Sequence, residues 1–280
     1  MIEILAWIGN RIGRPPGWER VVRQFASPEK CRAMREICIV SDGVVFVAQP
    51  AVPIGWHIAF FGTYEPELRN IFRGVLPLGG IAVDVGANVG WHTLLMARLV
   101  GDSGRVLAAE ANPSVRERLQ CNLRLNRFGQ VEVVPYAIAD AEGMVDFLGP
   151  DAKDPGSGDG HIVTAEACTG QETFRVESRR LDAILAAARI GRLDLIKIDV
   201  EGFEWQVLKG AEWAVTEYRP HIIFEYDASY APRGEGTPAL MEDFFGKHRY
   251  RLFEITRNWA TAMEPGNWPN CANIWAIPAD

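Results

Sequence analysis

The chain has 280 residues, 48% of them hydrophobic and 23% charged, ordinary globular values that exclude wholesale disorder and a disulfide-dependent minidomain. Its 29 Lys and Arg against 36 Asp and Glu leave a net charge of −7; with no long basic run, that argues against a nucleic-acid backbone as the main partner. The five cysteines form no Cys-x-x-Cys or Cys/His cluster, which fits a reducing compartment, and no apolar run of about 18 residues offers a transmembrane span, so a soluble cytoplasmic protein is expected.

In chain order, residues 1–30 are weakly periodic around Pro15-Pro16-Gly17. They read as an arm packed on the core, with a homo-oligomer contact or a membrane surface as alternatives. Ile37 to Phe60 is β-like in composition, and Asp42-Gly43 between two β-branched runs is a strong hairpin signal. Gly62 to Leu76 reads as helix and closes an N-terminal extension, residues 1–76. From residue 77 the character changes. Ile81–Val85 is a nearly continuous apolar run, the mark of a strand covered on both faces. Helix Trp91–Val100, strand Arg105–Glu110, helix Ser114–Asn126 and strand Val131–Tyr136 follow. The Gly-, Asp- and Pro-rich segment Gly149–His161 interrupts this rhythm and reads as a mobile surface loop, a lid or a tolerated insertion. Alternation resumes with helix Leu181–Ala188, strand Leu193–Val200, helix Glu204–Trp213, strand Pro220–Tyr226 and helix Thr237–Gly246. Strands Tyr250–Ile255 and Asn273–Ile277 close the chain. The pattern predicts an α/β domain over 77–280, a parallel sheet wrapped by helices.

The most informative run is Val83-Asp84-Val85-Gly86-Ala87-Asn88-Val89-Gly90-Trp91. A glycine turn between strand and helix lets a ligand approach backbone amides at a helix N-terminus. Asn88 and Trp91 occupy the second and third glycine positions of the dinucleotide fingerprint, and no Gly-Lys-Ser/Thr follows, so neither a dinucleotide nor a phosphate loop is indicated. Asp84, an acid inside the strand, needs donors such as turn amides or a ligand ammonium group. Glu110, ending the next strand, is placed to accept both hydroxyls of a ribose.

Asp84-Val85-Gly86-Ala87-Asn88-Val89-Gly90 resembles motif I of the S-adenosylmethionine-dependent methyltransferases, and more narrowly of the FkbM-type family. Gly62-Thr63-Tyr64-Glu65-Pro66-Glu67, Ala137-Ile138-Ala139-Asp140, Ile196-Lys197-Ile198-Asp199-Val200-Glu201-Gly202-Phe203-Glu204 and Val207-Leu208-Lys209-Gly210-Ala211 extend the resemblance over roughly Asp42 to Ala276. It implies a Rossmann-like, doubly wound, mostly parallel sheet behind a β-hairpin/helix extension, with S-adenosyl-L-methionine as cofactor. Asp84, Gly86, Asn88 and Gly90 would hold the methionine end, Glu110 the ribose, and Ile138 the adenine, with plain core packing the equal alternative for Ile138. Glu65 would help hold the ammonium group, or simply cap a helix. His92 departs from the family, standing where an aromatic is usual.

Lys197, Asp199 and Glu201 alternate at the C-terminal end of a strand beside the switch point, where open α/β sheets bind ligands. Methyl transfer to an alcohol needs a positioned acceptor and a base for its proton, and these three are the candidate catalytic residues. A Lys197 ion pair, together with Glu201 capping the next helix, is the structural alternative, and His161 is a rival base. Asp199, Glu225 and Asp227 could converge on a magnesium-like ion, but no metal is expected. The reading is O-methylation of a hydroxyl on a sugar or secondary-metabolite small molecule. A nicotinamide-dependent oxidoreductase and a non-catalytic cofactor-binding subunit are the alternatives.

Overall fold

A computed structural model describes residues 5–6, 16–148, 161–163, 173–257 and 259–279. The loop 149–160, with the lid reading attached to it, and the side chain of His161 lie outside the described residues.

The extension opens with α1 (Trp18–Phe25), which turns Trp18 and Val22 into the core. The hairpin β1 (Ile37–Ser41) and β2 (Val44–Ala48) pairs as expected. Asp42 and Gly43 at its tip have φ of 51° and 74°, the left-handed pair that a two-residue turn of matching twist requires. Two helices follow, α2 (Pro53–Phe61) and α3 (Pro66–Val75). Helix α2 corrects the β-like reading of this stretch. Its Pro53 stands in the first turn, and apart from His57 it is apolar and largely buried, so it shows neither helical nor strand periodicity. Trp18 Nε1 donates to the Phe60 carbonyl at 3.0 Å and Trp56 Nε1 to that of Ala26, tying α1 to α2.

The main sheet begins with β3 (Ile81–Val85), α4 (Trp91–Val100), β4 (Arg105–Ala109), α5 (Pro113–Asn126) and β5 (Val131–Val134). The chain then leaves it. Residues 137–138 form β6 (Ala137–Ile138) of a separate four-stranded sheet with β7 (Gly143–Leu148), β8 (His161–Val163) and β9 (Thr173–Arg179), in order β6-β9-β7-β8. After α6 (Leu181–Ala188), β10 (Leu195–Ile198) returns to the main sheet. The expected helix from Glu204 divides at Ala211 into α7 (Glu204–Gly210) and α8 (Glu212–Tyr218). Asp182 accepts the Trp213 and Ala214 amides, capping the second piece separately. Then come β11 (His221–Asp227), α9 (Pro238–Lys247), β12 (Tyr250–Ile255), β13 (Ala260–Ala262) and β14 (Cys271–Pro278).

The eight main strands lie in the order β13-β12-β14-β11-β10-β3-β4-β5. β5, β4, β3, β10 and β11 are parallel, and β14 is antiparallel to both of its neighbours. Alternate residues face opposite layers. Ala82, Val106, Leu195 and Ile223 pack with the extension, α4 and α5. Val83, Leu107, Ile196 and Ile222 pack with α6 to α9. The winding reverses between β3 and β10, which makes their C-terminal ends the switch point of a Rossmann-like sheet.

Strand β2 would be an open edge but for α5. Asn122 Oδ1 accepts the Val47 amide at 2.9 Å while its Nδ2 donates to the Val89 carbonyl at 2.8 Å, and Asn126 brackets Val45 in the same way. One buried side chain thus joins the hairpin to the glycine turn. Asn122→Ala, which strands both groups, is expected to lower unfolding free energy by about 1–3 kcal/mol in urea denaturation. An unchanged midpoint would show that the hairpin docks by apolar contact alone.

Candidate active site

Adjacent registers on β3 and β10 put Asp84 beside Lys197. Both are buried, and the Lys197 ammonium lies 3.7 Å from Asp84 Oδ1 and 3.1 Å from Asp199 Oδ2. Thr93, in the first turn of α4, donates to Asp84 Oδ2 at 2.5 Å. Burial alone would favour a neutral amine, but the carboxylates of Asp199, Asp84 and Glu65 outweigh it and hold Lys197 above the ordinary lysine range. It remains a cation.

The turn after β3 has to pass very close to β10. A Cβ on Gly86 would run into the Asp199 carbonyl, so only glycine fits. Gly90 serves packing instead, since its missing Cβ makes room for Leu119 of α5. Asn88, left-handed at φ 49°, donates its amide to Glu110 Oε2 at 2.9 Å, and Asn112 donates its amide to Oε1 at 2.8 Å. Burial still raises the Glu110 carboxyl to about 7, against those two bonds and the nearby Arg116.

A cavity of about 560 Å³ opens over this switch point, within the range of small-molecule sites. Of the residues expected from the sequence, Gly86, Asn88, Glu110, Ile138, Lys197, Asp199 and Glu201 border it. Asp84, Gly90 and Glu65 are not among the residues that border it. Glu65 has both oxygens engaged, Oε2 by His92 Nε2 at 2.9 Å and Oε1 by Asn273 Nδ2 at 2.8 Å. Burial works to raise its carboxyl, but His92, Lys197 and Asn273 hold it down at about 2. His92 is therefore the partner of Glu65, which gives its departure from an aromatic a physical reason.

Glu201 reaches the cavity by a different route from the one expected. Strand β10 ends at Ile198, so Glu201 lies outside the strand alternation; a left-handed turn at φ 55° carries it there. Glu204 fixes that turn, its Oε1 accepting the Val200 amide at 3.1 Å and the Gly202 amide at 3.2 Å. One oxygen each of Asp199, Glu201 and Glu225 then lie within 4.8 Å of one another. Asp227, grouped from sequence with Asp199 and Glu225, instead accepts from the amide and hydroxyl of Ser229 at 2.7 and 2.5 Å. Burial, then Asp199, Glu201, Glu65 and Glu204, push the Glu225 carboxyl well above the usual carboxylate range. Glu225 was not among the expected catalytic or cofactor residues, although it shares the sheet face of Ile223, the register neighbour of Lys197. A proton shared among the carboxylates, or a hard cation, relieves such crowding.

Sheet order, glycine turn and the acid after β4 define a Rossmann-like domain with a small-molecule cavity at its switch point. Residues 84–252 match the methyltransferase FkbM domain, and the chain belongs to that family. It is 27% identical over 229 residues to the AMB antimetabolite synthetase AmbE of Pseudomonas aeruginosa, a match covering 70% of this chain and 10% of AmbE. It is 28% identical over 241 residues to methyltransferase sdnD of Sordaria araneosa, covering 73% of this chain and 89% of that protein. Hexuronic acid methyltransferase AglP of Haloferax volcanii is 29% identical over 150 residues, 54% of this chain and 57% of AglP. The chain thus spans a tenth of the first relative, over half of the third and most of the second. Membership favours methyl transfer over the nicotinamide alternative.

Glu110 generates a pH dependence. With its carboxyl raised to about 7, it is neutral below that pH in the ligand-free protein, and a ribose whose two hydroxyls donate to it would require the anion. Affinity for S-adenosylhomocysteine should therefore rise with pH up to about 7, by up to about tenfold per unit, and level off above it. Calorimetry near pH 6 should show proton release on binding, and Glu110→Gln should abolish both effects. A flat profile in the unmodified protein would remove Glu110 from the ribose.

Proposed function

We propose that this protein transfers the methyl group of S-adenosylmethionine to a hydroxyl of a polar small molecule, a sugar or a secondary metabolite, with Glu201 receiving the hydroxyl proton. The observation that carries this reading is the convergence of Asp199, Glu201 and Glu225 on the same cavity that Glu110 and the glycine turn border. The residues present suit the cofactor: a carboxylate backed by two amides for a ribose, the apolar Ile138 for an adenine, and Asp199 at the strand end toward the methionine portion. When bound, the cofactor supplies an electrophilic methyl on a sulfonium. The chain's task is to hold an acceptor oxygen in line with that methyl and to take its proton, worth about 10²–10⁴ for a positioned base. The O–H electron pair would form the new O–C bond as the proton passes to Glu201, and the pair of the broken S–C bond would stay on sulfur, which leaves as the neutral thioether S-adenosylhomocysteine.

Lys197, paired with Asp84 and Asp199, fixes the direction of the Asp199 carboxylate and offsets charge, so we assign it a positioning role. Asp84, Gly90 and Glu65 act in the same indirect way. A sugar acceptor is supported by the relative named as a hexuronic acid methyltransferase.

Glu201→Gln keeps size and removes the base. Turnover should fall by about 10² or more with little change in cofactor affinity, while Asp199→Asn should weaken cofactor binding as well. Kinetics on folded variants, with affinity measured separately, decide the matter, and normal turnover in Glu201→Gln would overturn the base assignment. Turnover lost to a chelator and restored by magnesium would give the three carboxylates to a cation instead.

A further inference from the structure

Charge is distributed very unevenly along this acidic chain. Residues 1–35 carry seven Lys and Arg against three acids, net +4, which leaves −11 on the other 245 of the −7 total. Within the described part, residues 16–35, Arg20, Arg23, Lys30, Arg32 and Arg35 are all exposed.

Helix α1 orders part of this charge. Trp18 and Val22 face inward. Glu19 and Arg23 lie on one flank and pair with each other at 2.9 Å. The opposite flank, at helical spacing, is Arg20, Val21, Gln24 and Phe25. Val21 is 39% and Phe25 42% exposed, and neither belongs to the core cluster. Lys30 Nζ donates to the Gln24 carbonyl, which sets a second cation at the helix end beside Phe25. The flank thus combines two exposed apolar side chains with two cations.

We propose that this flank of α1 docks the protein on an anionic membrane surface. Negative headgroups would attract Arg20 and Lys30, and the adjoining apolar depth would take Val21 and Phe25, the combination by which interfacial helices bind. A second copy fits less well. A two-fold contact through this face presents the same patch on both partners and brings the basic segments together. The excess negative charge elsewhere on the chain is repelled by the same surface, so docking is confined to this end. Helix α2, tied to α1 through Trp18 and Trp56, lends Pro53 and Ile54 to the cavity wall, which places the docking face one helix away from the site.

The test is co-sedimentation of the whole chain with vesicles of phosphatidylcholine alone and of phosphatidylcholine with phosphatidylglycerol, at low and high salt. Binding should require the anionic lipid and weaken with salt. Val21→Ser/Phe25→Ser and, separately, Arg20→Glu/Lys30→Glu should each lower partitioning by about tenfold or more. Leu78→Ser, a change at an exposed apolar residue outside α1, should leave it intact. Affinity for S-adenosylhomocysteine should be unchanged in all three variants, which shows folding and keeps this question separate from that of methyl transfer. Equal binding to neutral vesicles, or none to anionic ones, would overturn the proposal. So would concentration-dependent self-association that the Val21→Ser/Phe25→Ser change abolishes, which would give the face to a second copy.

Discussion

An ammonium group buried in protein is tolerated only where anions surround it, and Lys197 meets that condition at the join of β3 and β10. Asp84 from one strand and Asp199 from the end of the other supply the charge. The pair spans the two strands between which the sheet reverses its winding, and that is where the cavity opens. With Lys197 in place, the Asp199 carboxylate has a fixed direction and Asp84 is not an uncompensated buried charge. The turn at Gly86, pressed against the Asp199 carbonyl, depends on the same strand ends being held together.

Around this centre the site draws on distant parts of the chain. The residue before α3 supplies Glu65, α4 supplies His92, and β14 supplies Asn273, three segments joined by two hydrogen bonds on one carboxylate. Asn122 joins the hairpin to the glycine turn. The extension therefore shares the core of one sheet face and closes one side of the cavity through Pro53 and Ile54. Among the crowded acids, Glu201 owes its position to the Glu204-braced turn after β10. Crowded carboxylates hold protons more tightly than isolated ones, a useful property where a proton has to be received.

Much of this was legible in the sequence because local chemistry forced it. Asp42-Gly43 leaves little alternative to a hairpin turn, and the apolar strands and alternating helices read directly as a parallel sheet. What stayed hidden was facing. Helix α2 is apolar apart from His57 and carries no period to read. The departure of β6 from the main sheet depends on pairing with β9, some forty residues further on. Motif spacing identified Asp84, Gly90 and Glu65 without telling that they do not border the cavity, since a buried partner and a ligand contact call for the same residue types. Glu201 was singled out by strand alternation, but the strand ends before it, at Ile198. Glu225 had the right parity on β11, but nothing local distinguished it from Asp227, which turns to Ser229.

The central claim is that the Lys197 charge holds the site together, and a double-mutant cycle of Lys197→Met with Asp84→Asn, read as unfolding free energy, tests it most directly. Removing Lys197 alone should cost about 3–5 kcal/mol, because Asp84 is left as a buried unpaired charge, and adding Asp84→Asn should recover much of that loss. A folded Lys197→Met of unchanged stability, or strictly additive effects of the two changes, would contradict the account.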